Sequence, residues 1–147
     1  MLLSVNRLAQ LLSVRRATLE TIADRAGALY TPFDLRKPGG KKWRHIDNPN
    51  DDLKLLQHRI QRQLLRAIDF PETVVGGVPG RSLADNIAFH VGQPLVVTMD
   101  LRHCFPRTMH TSVFNALRCE LDYSTEVASL LTRLTTRHGH VPQGAPT

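Results

Sequence analysis

Residues 93–110 read QPLVVTMDLRHCFPRTMH. The apolar run Leu95, Val96, Val97, Thr98, Met99 ends on a carboxylate, Asp100, and five residues later Phe105 is followed at once by Pro106. An apolar run of this length, stopped by a turn, predicts a buried strand. A strand that finishes on an acid holds a carboxylate at the mouth of a sheet, on backbone that is already paired. That is a rigid mount for a hard cation such as magnesium, which prefers oxygen ligands. A capping or turn aspartate satisfies the same local pattern. One carboxylate does not make a two-metal site in any case. On this stretch alone both readings stand.

Working upstream, SLAD at 82–85 has the form of a capping box and predicts a helix that Gly92 closes. VVGGVPGRS before it is a loop. YTPFDLRKPGGKKWRHIDNP predicts two strands around a turn at Pro38-Gly39-Gly40. Asp51 or Asp52 can cap a long helix from about Leu53 to Ile68, and Pro71 ends it. Its apolar positions, Leu53, Leu56, Ile60, Leu64 and Ile68, keep close to helical period. At the start of the chain, Leu3, Leu8, Leu11 and Leu12 fit a short amphipathic helix. A second helix follows Ser13, carries Leu19 and Ile22 inward and stops near Gly27. Downstream of the opening stretch, one helix is expected from about His110 to Leu121. Another runs from Ser124 with Val127, Leu130, Leu131 and Leu134 on one face, and Gly139 closes it. The last residues, PQGAPT, are turn-like.

A chain of 147 residues with 41% hydrophobic content is long and apolar enough for one domain with a real core. The net charge of +6 favours a polyanionic partner, with nucleic acid ahead of membrane. Cys104 and Cys119 are the only cysteines, so there is no disulfide framework, and a reducing cytoplasm fits. The opening MLLSVNRLAQLLSVRRATLE is broken by Arg7, Arg15 and Arg16 and lacks the apolar centre of a secretion signal. No run approaches the length of a membrane span.

Two basic clusters stand out. Arg36, Lys37, Lys41, Lys42 and Arg44 crowd one hairpin, which either clamps phosphates or is simply solvated. Lys54, His58, Arg62 and Arg66 recur every four residues and share one face of the long helix, with Arg59 adjoining. A cationic face without acids suits a sugar-phosphate backbone, and an ordinary solvated face is equally compatible with the pattern. His103 has no partner at metal-ligand spacing, and the seven histidines define no zinc site. Gly76, Gly77 and Gly80 do not form a phosphate-loop pattern, and no Ser-His-Asp arrangement is discernible.

The order of the segments says more than any one of them. RHIDNP…LKLLQHRI, then GRSLADNIAFH, then VVTMDLRHCFP, then VPQGAPT resembles the reverse transcriptases of bacteria, above all the retron type, from about Tyr30 to Thr147. The resemblance implies an α+β fold: part of a right-hand polymerase, helix-rich with a small antiparallel sheet. Residues 1–29 would be an N-terminal helical extension, 30–93 fingers, 94–116 the start of the palm, and 117–147 helices returning to the fingers and ending in the nucleotide-pocket turn.

It further implies that Asp100 is the first catalytic aspartate and a ligand of two magnesium ions, with the Leu101 carbonyl beside it. Phe105 would lie under the incoming sugar and reject a 2′-hydroxyl, and Gln143 would border the nucleotide pocket. Arg44 would reach the triphosphate, with Lys37 as its basic companion. Arg81, Asn86 and His90 would help shape the template and nucleotide surroundings. The stripe of Lys54, Arg62 and Arg66, read from its spacing, is a further candidate for nucleic-acid binding. The partners implied are an RNA template, a DNA product, deoxynucleoside triphosphates and a cognate structured non-coding RNA, with no membrane.

Two departures qualify the match. The family often has Lys, Asp and Phe where this chain has Arg102, His103 and Cys104. The family's second catalytic segment, an aromatic-x-Asp-Asp hairpin, is missing, as is the thumb. The expectation is therefore an N-terminal fragment of a longer polymerase, inactive alone. The alternative is a non-catalytic RNA- or DNA-binding fragment.

Overall fold

The computed structural model describes residues 4–40 and 42–146. The parts expected of Leu3 in the first helix and of Lys41 in the basic hairpin lie outside the described residues.

Amphipathic periodicity builds the body. Helix α1 (Val5–Leu11) opens on Ser4, whose hydroxyl accepts from the Arg7 N–H, and α2 spans Arg16–Arg25. Leu8, Leu12 and Leu19 are fully buried between them and their neighbours. A single 3-10 turn, Ala26–Ala28, follows α2 and contains Gly27.

Helix α3 (Asp51–Ile60) is capped by Asn50, not by Asp51 or Asp52. The Asn50 side chain accepts from the Leu53 N–H at 3.0 Å. The two aspartates sit in the first turn instead, where negative charge favours the helix N-terminus. Beyond Ile60 the helix widens into a π turn, Gln61–Leu65, closed by the Arg66 N–H on the Gln61 carbonyl at 2.9 Å. Regular helix therefore stops short of Ile68, which is only half-buried.

Two further α-helices complete the packed body. Helix α6 (His110–Asn115) runs on through a second π turn, Ala116–Glu120. Helix α7 (Thr125–Thr135) is capped by Ser124 and buries Val127, Leu130, Leu131 and Leu134, as its spacing predicted. It packs against α1, α2, α3 and α6 and forms the centre of the core. Gly139 does not close it, because the backbone is already extended at Thr136. His138 and Gly139, at φ 50° and 83°, are instead the central pair of a tight turn between Arg137 and His140.

Strands β1 (Tyr30–Arg36) and β2 (Trp43–Pro49) pair antiparallel, with Tyr30 opposite Pro49 and Leu35 opposite Arg44. Together they form the small sheet of a helix-rich α+β fold. The hairpin is buried at its base, at Tyr30, Asp47 and Pro49, and projects with Phe33, Leu35 and Trp43 exposed.

The span between Phe70 and Met109 is different. Helix α4 (Leu83–Ala88) does open on a complete capping box between Ser82 and Asp85. It ends at Phe89, short of Gly92, which stands in the following turn at φ 74°. The expected strand at 95–99 does not form. Leu95, Val97 and Met99 are 77%, 69% and 90% exposed. A strand needs neighbours for its N–H and C=O groups and a cover for its apolar face. Among the described residues nothing supplies either. Helix α5 (Cys104–Arg107) follows as a single turn entered through His103 at φ 56°. Cys104 and Cys119 are exposed free thiols. Among the described residues no helix is long and apolar enough to cross a membrane.

Candidate nucleotide and nucleic-acid site

The hairpin presents Arg44 and Lys37. Lys37 opens the turn, its N–H bonded to the Lys42 carbonyl at 3.0 Å and its carbonyl accepting from Gly40 at 3.2 Å. Gly39, at φ 69°, allows the reversal. Arg36 is engaged locally, its Nε donating to the Gly40 carbonyl at 3.2 Å. Lys37 and Arg44 are exposed, and neither has an acidic partner among the described residues.

Gln143 is brought to the same strand. Its carbonyl accepts from the Asp47 N–H at 2.9 Å, so the 141–146 segment lies along β2 three residues from Arg44. The fit is close. Gly144 has φ 104°, and a Cβ there would come within 2.7 Å of Ile46 Cγ2. Backbone bonds continue the connection. The Val141 N–H donates to the Thr108 carbonyl and the His110 N–H to the Gly139 carbonyl, both at 2.9 Å. Thr108 in turn closes α5, with its N–H on the Cys104 carbonyl at 3.0 Å. Arg44, Gln143 and Phe105 are therefore joined through one set of main-chain hydrogen bonds. Phe105 is 43% exposed, neither packed into the core nor fully in solvent.

Asp100 and Leu101 precede α5 on exposed backbone outside any helix or strand. Two magnesium ions held about 4 Å apart need several shared oxygen ligands. This segment offers one carboxylate and one backbone carbonyl. Among the described residues no three His, Cys, Asp or Glu side chains gather where an ion could sit. The residues present do not by themselves fit a metal pair.

On α3 and its π turn, His58, Arg62 and Arg66 are exposed and Lys54 is half-buried. None of the four pairs with an acid among the described residues. Arg62 and Arg66 border a surface hollow of about 790 Å³ with Phe70, Gly77, Val78 and Pro79. Arg59 is differently employed. It donates to the Leu12 and Ser13 carbonyls at 2.9 and 3.0 Å and closes the end of α1. Arg81 is also bound within the protein. Its guanidinium donates to the Phe70 carbonyl at 2.8 Å, to that of Val74 at 2.5 Å and to that of Pro71, which gathers the loop before α4. Asn86 is half-buried on α4, and His90 is exposed just beyond it.

Sequence reasoning passed over a polar network beneath the hairpin. Gln57, fully buried, donates to the Tyr30 hydroxyl at 2.8 Å and the Leu134 carbonyl at 2.9 Å. Asp47 forms an ion pair with Arg137, whose guanidinium lies over the Tyr30 ring, 5.3 Å from its centroid. Burial pushes the Tyr30 hydroxyl above its ordinary pKa, against the Gln57 hydrogen bond, which pulls it down. The available signal was Gln57 itself, a polar residue on the apolar stripe of Leu53, Leu56 and Ile60.

No family model matches the chain. Individual relatives do. The chain is 28% identical over 141 residues to the retron Se72 reverse transcriptase of Salmonella heidelberg, a match covering 96% of this chain and 37% of that protein. It is 28% identical over 130 residues to the retron Ec86 reverse transcriptase of Escherichia coli, covering 88% and 40%. It is 32% identical over 114 residues to the retron Mx65 reverse transcriptase of Myxococcus xanthus, covering 77% and 26%. The chain thus spans between about a quarter and two-fifths of the length of these curated relatives. The motif order and the three alignments together place the chain among the retron-type reverse transcriptases, matched over a fragment of their length.

Proposed function

We propose that the chain forms the nucleotide- and template-binding part of an RNA-directed DNA polymerase, which extends a 3′-hydroxyl with deoxynucleotides. The observation that carries this reading is the linkage of Arg44, Gln143 and Phe105 through β2, the 137–143 segment and α5. Phosphoryl transfer requires accurate placement of charge and little covalent chemistry from the protein. In this reading residues 30–93 are fingers, 94–116 begin the palm, and 117–147 return to the fingers. Arg44 and Lys37 meet the triphosphate, Gln143 borders the base and sugar, and Phe105 screens the 2′ position by shape. Asp100, with the Leu101 carbonyl, supplies one part of a magnesium site. The run Leu95–Met99 becomes a palm strand once it has neighbours. Lys54, Arg62 and Arg66, with Asn86 and His90, face an RNA template that is a structured non-coding RNA, and the product is DNA.

A second reading has its own support. Among the described residues Asp100 belongs to no group of three or more potential metal ligands, and a non-catalytic RNA- or DNA-binding fragment needs none. Titration of the chain with a fluorescent deoxynucleoside triphosphate, up to the millimolar range, separates the two. The polymerase reading expects binding that Arg44→Ala weakens. Binding of RNA without binding of the triphosphate favours the second reading. Affinity for single-stranded RNA should fall with salt, and replacing Lys54, Arg62 and Arg66 with Gln should flatten the log–log slope by roughly 2, at about 0.7 per lost contact. An unchanged slope returns the stripe to an ordinary solvated face. Primer extension by the chain alone should be absent, because one carboxylate cannot hold two metals. Templated synthesis that Asp100→Ala abolishes would overturn that expectation.

A further inference from the structure

Asp47 is held by its side chain and by its backbone. Its carboxylate pairs with Arg137 and lies 3.6 Å from His45 Nε2, and its N–H donates to the Gln143 carbonyl at 2.9 Å. Both ends of the 137–143 segment therefore close on one residue of β2. The ion pair is largely shielded, with the Arg137 and Asp47 side chains 13% and 7% exposed. Arg137 has further anchors in the face of Tyr30 at the base of β1 and the Gly27 carbonyl, 3.5 Å from its Nε. Its own backbone is fixed by reciprocal bonds with His140 at 2.8 and 3.1 Å, across the tight His138-Gly139 turn. A shielded ion pair contributes little net stability, since desolvation offsets its attraction, and its better-attested use is to fix a register. Here the register is that of the 141–146 segment along β2, and three residues up that strand stands Arg44.

We propose that Arg137 is a positioning residue that sets the separation of Arg44 and Gln143 and thereby the affinity for an incoming deoxynucleoside triphosphate. The inference rests on the polymerase reading of the site. Arg137 does not touch the nucleotide; it acts through Asp47. The planar fork of arginine reaches a carboxylate, a ring face and a carbonyl together, which the single ammonium of lysine cannot do.

The test uses the 147-residue chain, a fluorescent deoxynucleoside triphosphate as probe, and amide exchange at Asp47 and in 141–146 as an independent readout. Arg137→Met is expected to weaken triphosphate binding about tenfold and to unprotect the Asp47 amide. Arg137→Lys should restore part of both. Gly144→Ala leaves Arg137 intact but drives a Cβ into Ile46, and should weaken binding to a similar degree. In the double variant Arg44→Ala/Arg137→Met the combined loss should be less than the sum of the two, because Arg137 acts by setting Gln143 against Arg44. Wild-type affinity in a folded Arg137→Met chain overturns the proposal, as does simple additivity with Arg44→Ala. If the wild-type chain binds no triphosphate, the polymerase reading falls and the nucleotide role of Arg137 falls with it. Loss of amide protection in Arg137→Met would then still identify a structural clamp, so the two failures are distinct.

Discussion

In the helical body Leu8, Leu12, Leu19, Leu53, Ile60, Leu131 and Leu134 are fully buried. Between Leu83 and Met109 the side chains of Leu83, Val91, Leu95, Val97, Met99 and Leu101 are each more than two-thirds exposed. The second set is no less apolar than the first. What separates them is partnership. Helices α1, α2, α3 and α7 each carry a stripe at helical period, and the stripes face one another. The 95–99 run has no strand beside it and no helix over it among the described residues. Burial is a property of a pair of surfaces, so an apolar segment states a demand that its own sequence cannot meet.

Mutation tests the contrast directly. The largest effect should come from Leu131→Ala, a loss of about 2–5 kcal/mol from the lost transfer energy plus the cavity left behind. Met99→Ala should change stability by no more than about 0.5 kcal/mol. Urea denaturation of both variants measures the difference, and a Met99 cost close to that of Leu131 would mean that the outer span is packed after all.

Gln57→Ala comes next, at about 1–3 kcal/mol, because it leaves the Leu134 carbonyl and the Tyr30 hydroxyl buried without their donor. A neutral result would remove the polar network from the account of the core. Phe105→Ala should cost roughly 1 kcal/mol or less, because the ring is half-exposed, against the 3–5 kcal/mol typical of a buried aromatic. A melting temperature that falls as far as for a core substitution would make Phe105 packing and not a pocket wall.

The smallest effects are in pH, and the two regions should respond at opposite ends of the scale. Burial raises the Tyr30 pKa above its unfolded value near 10. The folded state therefore prefers the neutral phenol. Its contribution is fully present below about pH 10 and is lost as pH rises toward the raised value. Thermal melts of the body should show this alkaline decline, and Tyr30→Phe should reduce it. Asp85 has the opposite sign. The Ser82 hydroxyl first, then the Ser82 N–H at 2.6 Å, lower its pKa. Its contribution is present above the ordinary aspartate range, near 3.9, and disappears as pH falls through the lowered value. Amides of α4 should accordingly lose protection only in strong acid, with the helical body unaffected. Loss beginning near pH 5 would show that the capping box is not formed.

Local rules set the local structure, and those parts were legible from neighbouring residues alone. The stripes of α3 and α7, the capping box at Ser82, and the hairpin around Gly39 each depend on residues within a few positions of one another. Their physics is complete within the segment. The order of the four motifs likewise identified the family. Small competitions between neighbours were less legible. Asn50 won the cap from Asp51 and Asp52, and π turns loosened α3 and α6 before their expected ends.

The relations between distant segments emerged from the folded chain. Asp47 and Arg137 are 90 residues apart, and neither stands out in its own stretch. Gly144 reads as a turn glycine until Ile46 is found where its Cβ would be. Arg81 reads as part of the template surroundings until three carbonyls of its own chain converge on it. Leu95–Met99 reads as a buried strand until its neighbours are sought. Hydrogen bonds, ion pairs and apolar contacts act over a few ångströms, so a residue's environment depends on what the rest of the chain brings to it.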